Sequence, residues 1–197
     1  MRFDKVCVYA GSAPGASDAY AAATRELAAG IVARGAGVVY GGGSLGLMGV
    51  VADATLAAGG TVTGVIPRFL DDREVGHDGV TDLRVVETMH ERKMLMADLA
   101  DAFVVLPGGI GTLEEIVEML SWSQLGLHRK PMGLLDTDGF WQPLVDLLDH
   151  MTSEEFVGLD HRRLLLSAPS PGELLDAMAG WEAPAVGRRW LRSEDET

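Results

Sequence analysis

Short apolar runs alternate along the chain with longer segments in which apolar residues recur at helical spacing. The short runs are predicted as strands and the longer segments as helices. The seven predicted strands are residues 5–9, 37–40, 61–66, 83–86, 102–106, 132–135 and 164–167. Such alternation predicts the α/β class, with a doubly wound, mostly parallel sheet of about seven strands flanked by helices.

Two of the predicted helices have a clear end. Residues 18–34 are followed by Gly35, and residues 48–58 are followed by Gly59 and Gly60. Glycine is common just beyond a helix because it adopts a positive φ without strain. The polar segment 71–79 is predicted to be a loop.

Length and composition suit a single acidic domain. The 197 residues are predicted to form one domain over residues 1–183 and an acidic C-terminal tail over residues 184–197. The formal net charge of −13 argues against a nucleic-acid polymer as partner. The single cysteine, Cys7, excludes an intrachain disulfide and is predicted to be a small buried residue. Because neither a targeting segment nor a membrane span is recognised, we expect a soluble, cytoplasmic protein.

Four unusual turns are predicted to meet at one edge of the sheet. They are residues 11–15, 41–46, 88–93 and 107–112, and each follows a predicted strand. In a parallel sheet every strand-to-helix turn lies at the same edge, where such folds bind ligands. Glycine also serves ordinary turns, but several glycine-rich turns together predict room for a ligand of nucleotide size.

The turn Pro-Gly-Gly-Ile-Gly-Thr at residues 107–112 joins a predicted buried strand to a helix. Its glycines let the backbone approach an anion, and the helix offers free N–H groups and the positive end of its dipole. The turn therefore predicts a phosphate site. Glu115 follows in the first turn of the helix. A carboxylate there contributes nothing to phosphate binding, so it predicts chemistry beside the phosphate.

Arg92 is the second candidate for chemistry. On a helix that begins near residue 89, it shares the apolar face with Met96. An arginine on such a face needs an anionic partner. Two interpretations stay open: a structural salt bridge to Glu115 or Glu118, or an arginine held for a ligand. The ligand is favoured because Lys93 adds charge at the same sheet edge.

The helix after the 107–112 turn has two apolar faces. The first is predicted to face the core and comprises Leu113, Ile116, Val117 and Leu120. The second comprises Glu115, Met119 and Trp122. It is predicted to be a covered surface, either a subunit interface or, with Met89, a wall against a nucleotide base. Burial of both faces within one chain is less favoured.

Several other chemistries lack their signatures. The five histidines have no spacing with carboxylates or cysteine that suggests a metal site. A Gly-x-Ser-x-Gly nucleophile turn is absent, and the 41–46 turn is not followed by the Lys-Ser or Lys-Thr of a P-loop. No lysine has an evident pyridoxal-phosphate context.

The sequence Met-His-Glu-Arg-Lys at residues 89–93, with residues 107–115, resembles the LONELY GUY family of cytokinin riboside 5′-monophosphate phosphoribohydrolases. The resemblance continues through residues 40–49, 64–67 and 122–131 and covers roughly residues 5–155. It implies a Rossmann-like homodimer that hydrolyses the N-glycosidic bond of a nucleoside 5′-monophosphate. The products would be the free base and ribose 5-phosphate, and no metal or organic cofactor would be needed.

The resemblance also implies roles for individual residues. Arg92 and Glu115 match the family's catalytic arginine and glutamate. The family's substrate contacts match Glu74, Lys93, Gly108, Gly109, Ile110, Gly111, Thr112, Leu113, Glu114 and Ser121. Ser121 stands where plant members have threonine, a change that keeps the hydroxyl.

Two alternatives to cytokinin activation stay open. One is a general nucleosidase that cleaves nucleoside 5′-monophosphates for salvage, because the base specificity depends on the wall around the base. The other is a nucleotide or cofactor carrier without turnover. Glu115 argues against the carrier, which has no need of a carboxylate at that position.

Overall fold

The computed structural model describes residues 2–71 and 76–184. Within them the chain forms seven strands, as predicted, and each bound lies within one residue of the prediction. The strands are β1 Lys5–Tyr9, β2 Gly37–Tyr40, β3 Val62–Pro67, β4 Asp82–Val86, β5 Ala102–Val105, β6 Met132–Leu135 and β7 Leu165–Ala168. Glu74, a predicted substrate contact, and residues 185–197 of the predicted tail lie outside the described residues.

The strands form one sheet in the order β4-β3-β2-β1-β5-β6-β7, and every neighbouring pair is parallel. Strands β2, β3, β5 and β6 are buried along their whole length, which is typical of a sheet covered on both faces. The chain runs outward from β1 to β4 and then returns to β5 on the other side of β1. This reversal between β1 and β5 is the switch point where doubly wound folds open a crevice for ligands.

Helices fill the connections between the strands. In the described residues they are α1 Asp18–Ala33, α2 Gly46–Ala57, α3 Arg68–Asp71, α4 Met89–Leu99, α5 Ile110–Gln124, α6 Gln142–Ser153, α7 Leu159–Arg162 and α8 Pro171–Ala179. The two helices with predicted glycine ends are confirmed, although α2 begins two residues earlier than predicted. None of the described helices combines the length and the apolar character needed to cross a bilayer.

The core has two layers because the side chains of each strand alternate between the faces of the sheet. In β1, Val6 and Val8 pack in the layer formed with α1, α2 and α8. Cys7 and Tyr9 pack in the layer formed with α4 and α5. Cys7 is fully buried, as predicted. Helical cover on both faces confirms the doubly wound fold.

The burial of α5 contradicts part of the prediction. Its buried side chains are Thr112, Glu115, Ile116, Met119, Leu120 and Ser123. Val117, predicted to face the core, is 45% exposed. The prediction was wrong because it ranked positions by apolar character, whereas the helix buries Thr112 and Glu115 on the same side as its apolar residues.

Candidate active site

A cavity of about 530 Å³ lies at the carboxyl edge of the sheet, beside the switch point between β1 and β5. Its volume falls in the range of small-molecule sites, roughly 300–1,000 Å³. All four predicted turns contribute to it. The lining residues are Ala10, Gly11, Ser12, Gly41, Gly43, Leu45, Met48, Ile66, Leu70, Arg92, Gly109, Ile110, Gly111, Thr112 and Glu115. The predicted meeting of these turns around a space of ligand size is confirmed.

The 107–112 turn presents unpaired backbone donors to the cavity. Gly109 is the N-cap residue of α5 and has no side chain that could accept a hydrogen bond from the first N–H groups. The N–H groups of Ile110, Gly111 and Thr112 have no acceptor among the described residues. A Cβ built at Gly109 or Gly111 would meet no described atom within 4 Å. The turn therefore leaves an open place of positive potential that suits an anion.

Three other helices that begin at this sheet edge, α1, α2 and α4, have some of their first N–H groups satisfied within the protein. The Ser17 side chain caps α1, and Thr88 and Glu91 form a capping box on α4. At α2, the Leu47 N–H donates to the Gly11 carbonyl oxygen at 3.0 Å. Compared with α1, α2 and α4, α5 therefore offers a more open N-terminus for a phosphate.

Arg92 and Glu115 form a buried ion pair in the cavity wall. Arg92 Nη1 donates to Glu115 Oε1 at 2.7 Å, and Arg92 Nε donates to the Val65 carbonyl oxygen at 3.2 Å. The two side chains are only 10% and 9% exposed. The salt bridge to Glu115 and the position at a cavity are both present, so the two interpretations of Arg92 are compatible.

The environment of Glu115 changes its acidity. Burial raises the pKa of this carboxyl above the ordinary value of 4.5, and the charge of Arg92 opposes the shift. Water solvates a buried carboxylate poorly, so its charge acts strongly on groups beside it. The pair thus places a reactive oxygen, held by a fixed cation, in the same cavity as the open N-terminus of α5.

Relatives of known name match this chain over most of its length. A family model described as "Possible lysine decarboxylase" matches residues 48–178. The cytokinin riboside 5′-monophosphate phosphoribohydrolase LOG of Oryza sativa subsp. japonica is 51% identical, over 88% of this chain and 72% of its own length. The chain belongs to the LONELY GUY family. A second member, LOG5 of Arabidopsis thaliana, is 43% identical over 92% of this chain and 79% of its own length.

Solved structures extend the likeness to the fold. A molybdenum cofactor carrier protein from Chlamydomonas reinhardtii has a TM-score of 0.67 at 23% identity, with 90% of this chain and 97% of that chain covered. A molybdenum cofactor binding protein from Rippkaea orientalis has a TM-score of 0.67 at 20% identity, with 91% and 97% covered. At these identities the likeness concerns the fold alone, and it confirms the Rossmann-like arrangement predicted from the LONELY GUY resemblance.

In this LONELY GUY family member, the structure brings some of the predicted site residues together. Arg92, Glu115 and four residues of the turn, Gly109 to Thr112, all line the cavity. Gly108 does not line it, and a Cβ there would lie 2.2 Å from Thr112 Oγ1, so Gly108 gives Thr112 room to pack. In residues 2–71 and 76–184, no group of three or more histidine, cysteine, aspartate or glutamate side chains could hold a metal ion.

The other predicted contacts that the structure describes, Lys93, Leu113, Glu114 and Ser121, do not line the cavity. Lys93 Nζ donates to Glu114 Oε1 at 2.6 Å and to Glu118 Oε1 at 3.1 Å. Burial by itself lowers the pKa of Lys93, but these hydrogen bonds raise it overall above 10.5. A lysine that forms a Schiff base needs a lowered pKa, so Lys93 does not suit pyridoxal phosphate. Leu113 is half-buried, and Ser121 Oγ donates to the Val117 carbonyl oxygen at 2.9 Å.

The apolar wall of the cavity differs from the predicted one. Its side chains are Leu45, Met48, Ile66, Leu70 and Ile110. The predicted wall of Met89, Met119 and Trp122 is wrong, since none of the three lines the cavity and Met119 is fully buried in the core. Position along the chain could have identified four of these wall residues. Leu45 and Met48 follow β2, Ile66 lies near the end of β3, and Leu70 lies just beyond β3.

Proposed function

We propose that this protein hydrolyses the N-glycosidic bond of cytokinin riboside 5′-monophosphates, and of AMP, to give free base and ribose 5-phosphate. One observation carries the proposal: the buried Arg92–Glu115 pair and the open N-terminus of α5 line the same cavity. A phosphate site beside a buried carboxylate fits hydrolysis of a phosphorylated nucleoside, because a carrier has no use for the carboxylate. The activity named for the rice and Arabidopsis relatives supports the same conclusion.

The phosphate is placed on the 107–112 turn. The free N–H groups of Ile110, Gly111 and Thr112 supply donors, and the helix dipole adds a favourable field. Binding energy from the phosphate then fixes the ribose relative to Glu115. Nucleosides without the phosphate are accordingly expected to be poor substrates.

Glu115 acts on the sugar. The water oxygen bonds to C1′ as the bond from C1′ to the base nitrogen breaks, and the proton that the water loses ends on the departing base. The sugar becomes oxocarbenium-like on the way, and a buried carboxylate stabilises its positive charge. Glu115 Oε1 is engaged by Arg92, while Oε2 has no hydrogen bond to any described residue and is placed to orient the water.

Arg92 serves through its charge. An arginine hardly ever loses its proton, so it is a poor general acid. Its guanidinium holds Glu115 and is fixed in turn by the carbonyl of Val65. We assign it electrostatic positioning of Glu115 and of the leaving base or the phosphate.

Dimer formation is proposed from an exposed apolar stripe together with the family resemblance. Ile110, Val117 and Leu125 lie on one side of α5 and are 82%, 45% and 67% exposed. Glu114 and Ser121 share that exposed side, so a second copy would meet these two predicted contacts. Light scattering should give twice the chain mass, and Val117→Asp should give one chain mass. A wild-type monomer would exclude the dimer.

Chromatographic detection of free base tests the activity. The purified protein is incubated in parallel with isopentenyladenosine 5′-monophosphate, AMP and the two corresponding nucleosides. Release from the prenylated nucleotide well above AMP indicates cytokinin activation, and comparable release from both nucleotides indicates general salvage. Equal release from nucleosides and nucleotides would contradict the phosphate placement. No release from any of the four would favour a carrier.

A further inference from the structure

Ser12 lies at the switch point of the sheet, beside the turn that begins α5. It follows β1, the central strand, and lines the same cavity as Gly109, Gly111 and Thr112. Neither the motifs nor the family resemblance assigns it a role. Its place in the structure is what draws attention to it, because a lone serine after a strand is an ordinary turn residue.

The backbone around Ser12 is fixed by two neighbouring turns. The Gly11 N–H donates to the Pro107 carbonyl oxygen at 3.1 Å, and the Gly11 carbonyl oxygen accepts from the Leu47 N–H at 3.0 Å. Gly46 packs so closely that a Cβ there would lie 2.3 Å from the carbonyl carbon of Ser12. The backbone that carries the Ser12 side chain is therefore held in place next to the 107–112 turn.

The hydroxyl of Ser12 has no hydrogen-bond partner in the described part of the chain, and the residue is exposed. Three other serine hydroxyls, by contrast, are engaged within the protein. Ser17 caps α1, Ser121 donates to the Val117 carbonyl oxygen, and Ser153 donates to the His150 carbonyl oxygen. A free hydroxyl on a residue that lines the cavity, next to backbone held by two turns, can donate to a ligand.

We infer that Ser12 is a phosphate-binding residue whose hydroxyl donates to a phosphoryl oxygen of the nucleotide. The inference rests on the proposed function for the identity of the ligand. The N–H groups of α5 reach the phosphate from the β5 side, and Ser12 reaches it from the β1 side. A charged acceptor makes such a hydrogen bond strong, and the two sets of donors together fix the orientation of the phosphate.

Ser12→Ala tests the inference. With AMP, KM should rise about tenfold while kcat stays within about twofold, because the bond forms equally in the ground state and the transition state. The inhibition constant of inorganic phosphate should rise by the same factor, and hydrolysis of adenosine should not change. Ser12→Thr keeps the hydroxyl and should restore KM. Ser153→Ala removes a serine hydroxyl outside the cavity and should behave as wild type.

Two results would overturn the inference. One is an unchanged KM for AMP in Ser12→Ala. The other is equal weakening of AMP and adenosine with unchanged phosphate inhibition, which would place Ser12 at the ribose. If the wild type releases no base, the proposed hydrolysis fails, and AMP affinity measured by calorimetry decides. About tenfold weaker binding by Ser12→Ala would then support Ser12, whereas equal affinity, or no AMP binding by the wild type, would overturn it.

Discussion

Two glycine-rich turns face the same cavity, yet glycine serves opposite purposes in them. In the 41–46 turn, Gly46 has φ of +58°, and a Cβ there would lie 2.3 Å from the carbonyl carbon of Ser12. In the 107–112 turn, a Cβ at Gly109 or Gly111 would meet no described atom within 4 Å. The protein itself fills the space beside the backbone at Gly46, whereas that space is open at Gly109 and Gly111.

The backbone donors differ in the same way. The Leu47 and Met48 N–H groups at the start of α2 donate to the Gly11 carbonyl oxygen at 3.0 and 3.3 Å. The corresponding groups of α5 have no acceptor among the described residues. A glycine-rich turn before a helix is therefore an anion site only where the packing leaves both the space and the donors free. This criterion supports the proposed phosphate site on the 107–112 turn.

The largest effect is expected at Glu115, on α5, the helix that follows the 107–112 turn. Glu115→Gln should lower kcat by about three orders of magnitude, because the amide cannot stabilise positive charge on the sugar. The Gln oxygen can still accept from Arg92, so folding and AMP binding should persist. Glu173→Gln, an exposed glutamate on α8 that lies outside the cavity, is the matched control for kinetic assays. Wild-type turnover in Glu115→Gln would remove Glu115 from the mechanism.

The next largest effect is expected at Gly46, in the 41–46 turn. Gly46→Ala should lower the free energy of unfolding by about 3 kcal/mol, since it combines a positive φ with a clash against backbone. Gly59→Ala is the control, because Gly59 has φ of +80° but no neighbour within 4 Å. It should cost only about 1 kcal/mol, measured by urea denaturation. Equal costs for both variants would show that close packing is not what requires glycine at position 46.

A smaller effect, on substrate binding rather than on stability, is expected at Gly111 in the 107–112 turn. Gly111→Ala should leave stability unchanged or raise it by about 0.5 kcal/mol, because alanine favours a helix. Its Cβ takes space intended for the phosphate, so KM for AMP should rise about tenfold. Gly172→Ala, at the same position of α8 and also without neighbours within 4 Å, should match the stability change with unaltered KM. Unchanged KM in Gly111→Ala would move the phosphate elsewhere.

The smallest effect concerns pH. Since burial raises the pKa of Glu115 above 4.5 in the folded protein, kcat/KM should fall on acidification with a midpoint above that value. Between the unfolded and the folded pKa, the folded state binds the extra proton, so the Glu115 contribution to stability decreases as pH rises. Denaturation and activity profiles of the wild type and Glu115→Gln measure both trends. An acidic limb shared by the variant would assign it to another group.

How far the sequence predicted the site depended on the kind of residue. Arg92 stood out because a charge on an apolar helix face needs an anionic partner, and Glu115 because a carboxylate contributes nothing to a phosphate turn. Both line the cavity. The wall residues Leu45 and Leu70 gave no such signal, since an apolar residue in a turn looks the same whether it faces a ligand or solvent. Met119 was misplaced because α5 buries a different stripe from the most apolar one.

Residue order alone is enough to predict the alternation of strands and helices, the parallel sheet and the edge at which the turns meet. These follow from local periodicity and from chain direction, which are written in neighbouring residues. The folded chain was needed to show which glycine-rich turn leaves space beside its backbone, that Arg92 pairs with Glu115, and that Lys93 is held by Glu114 and Glu118. Such choices depend on contacts between distant segments, which local patterns do not encode.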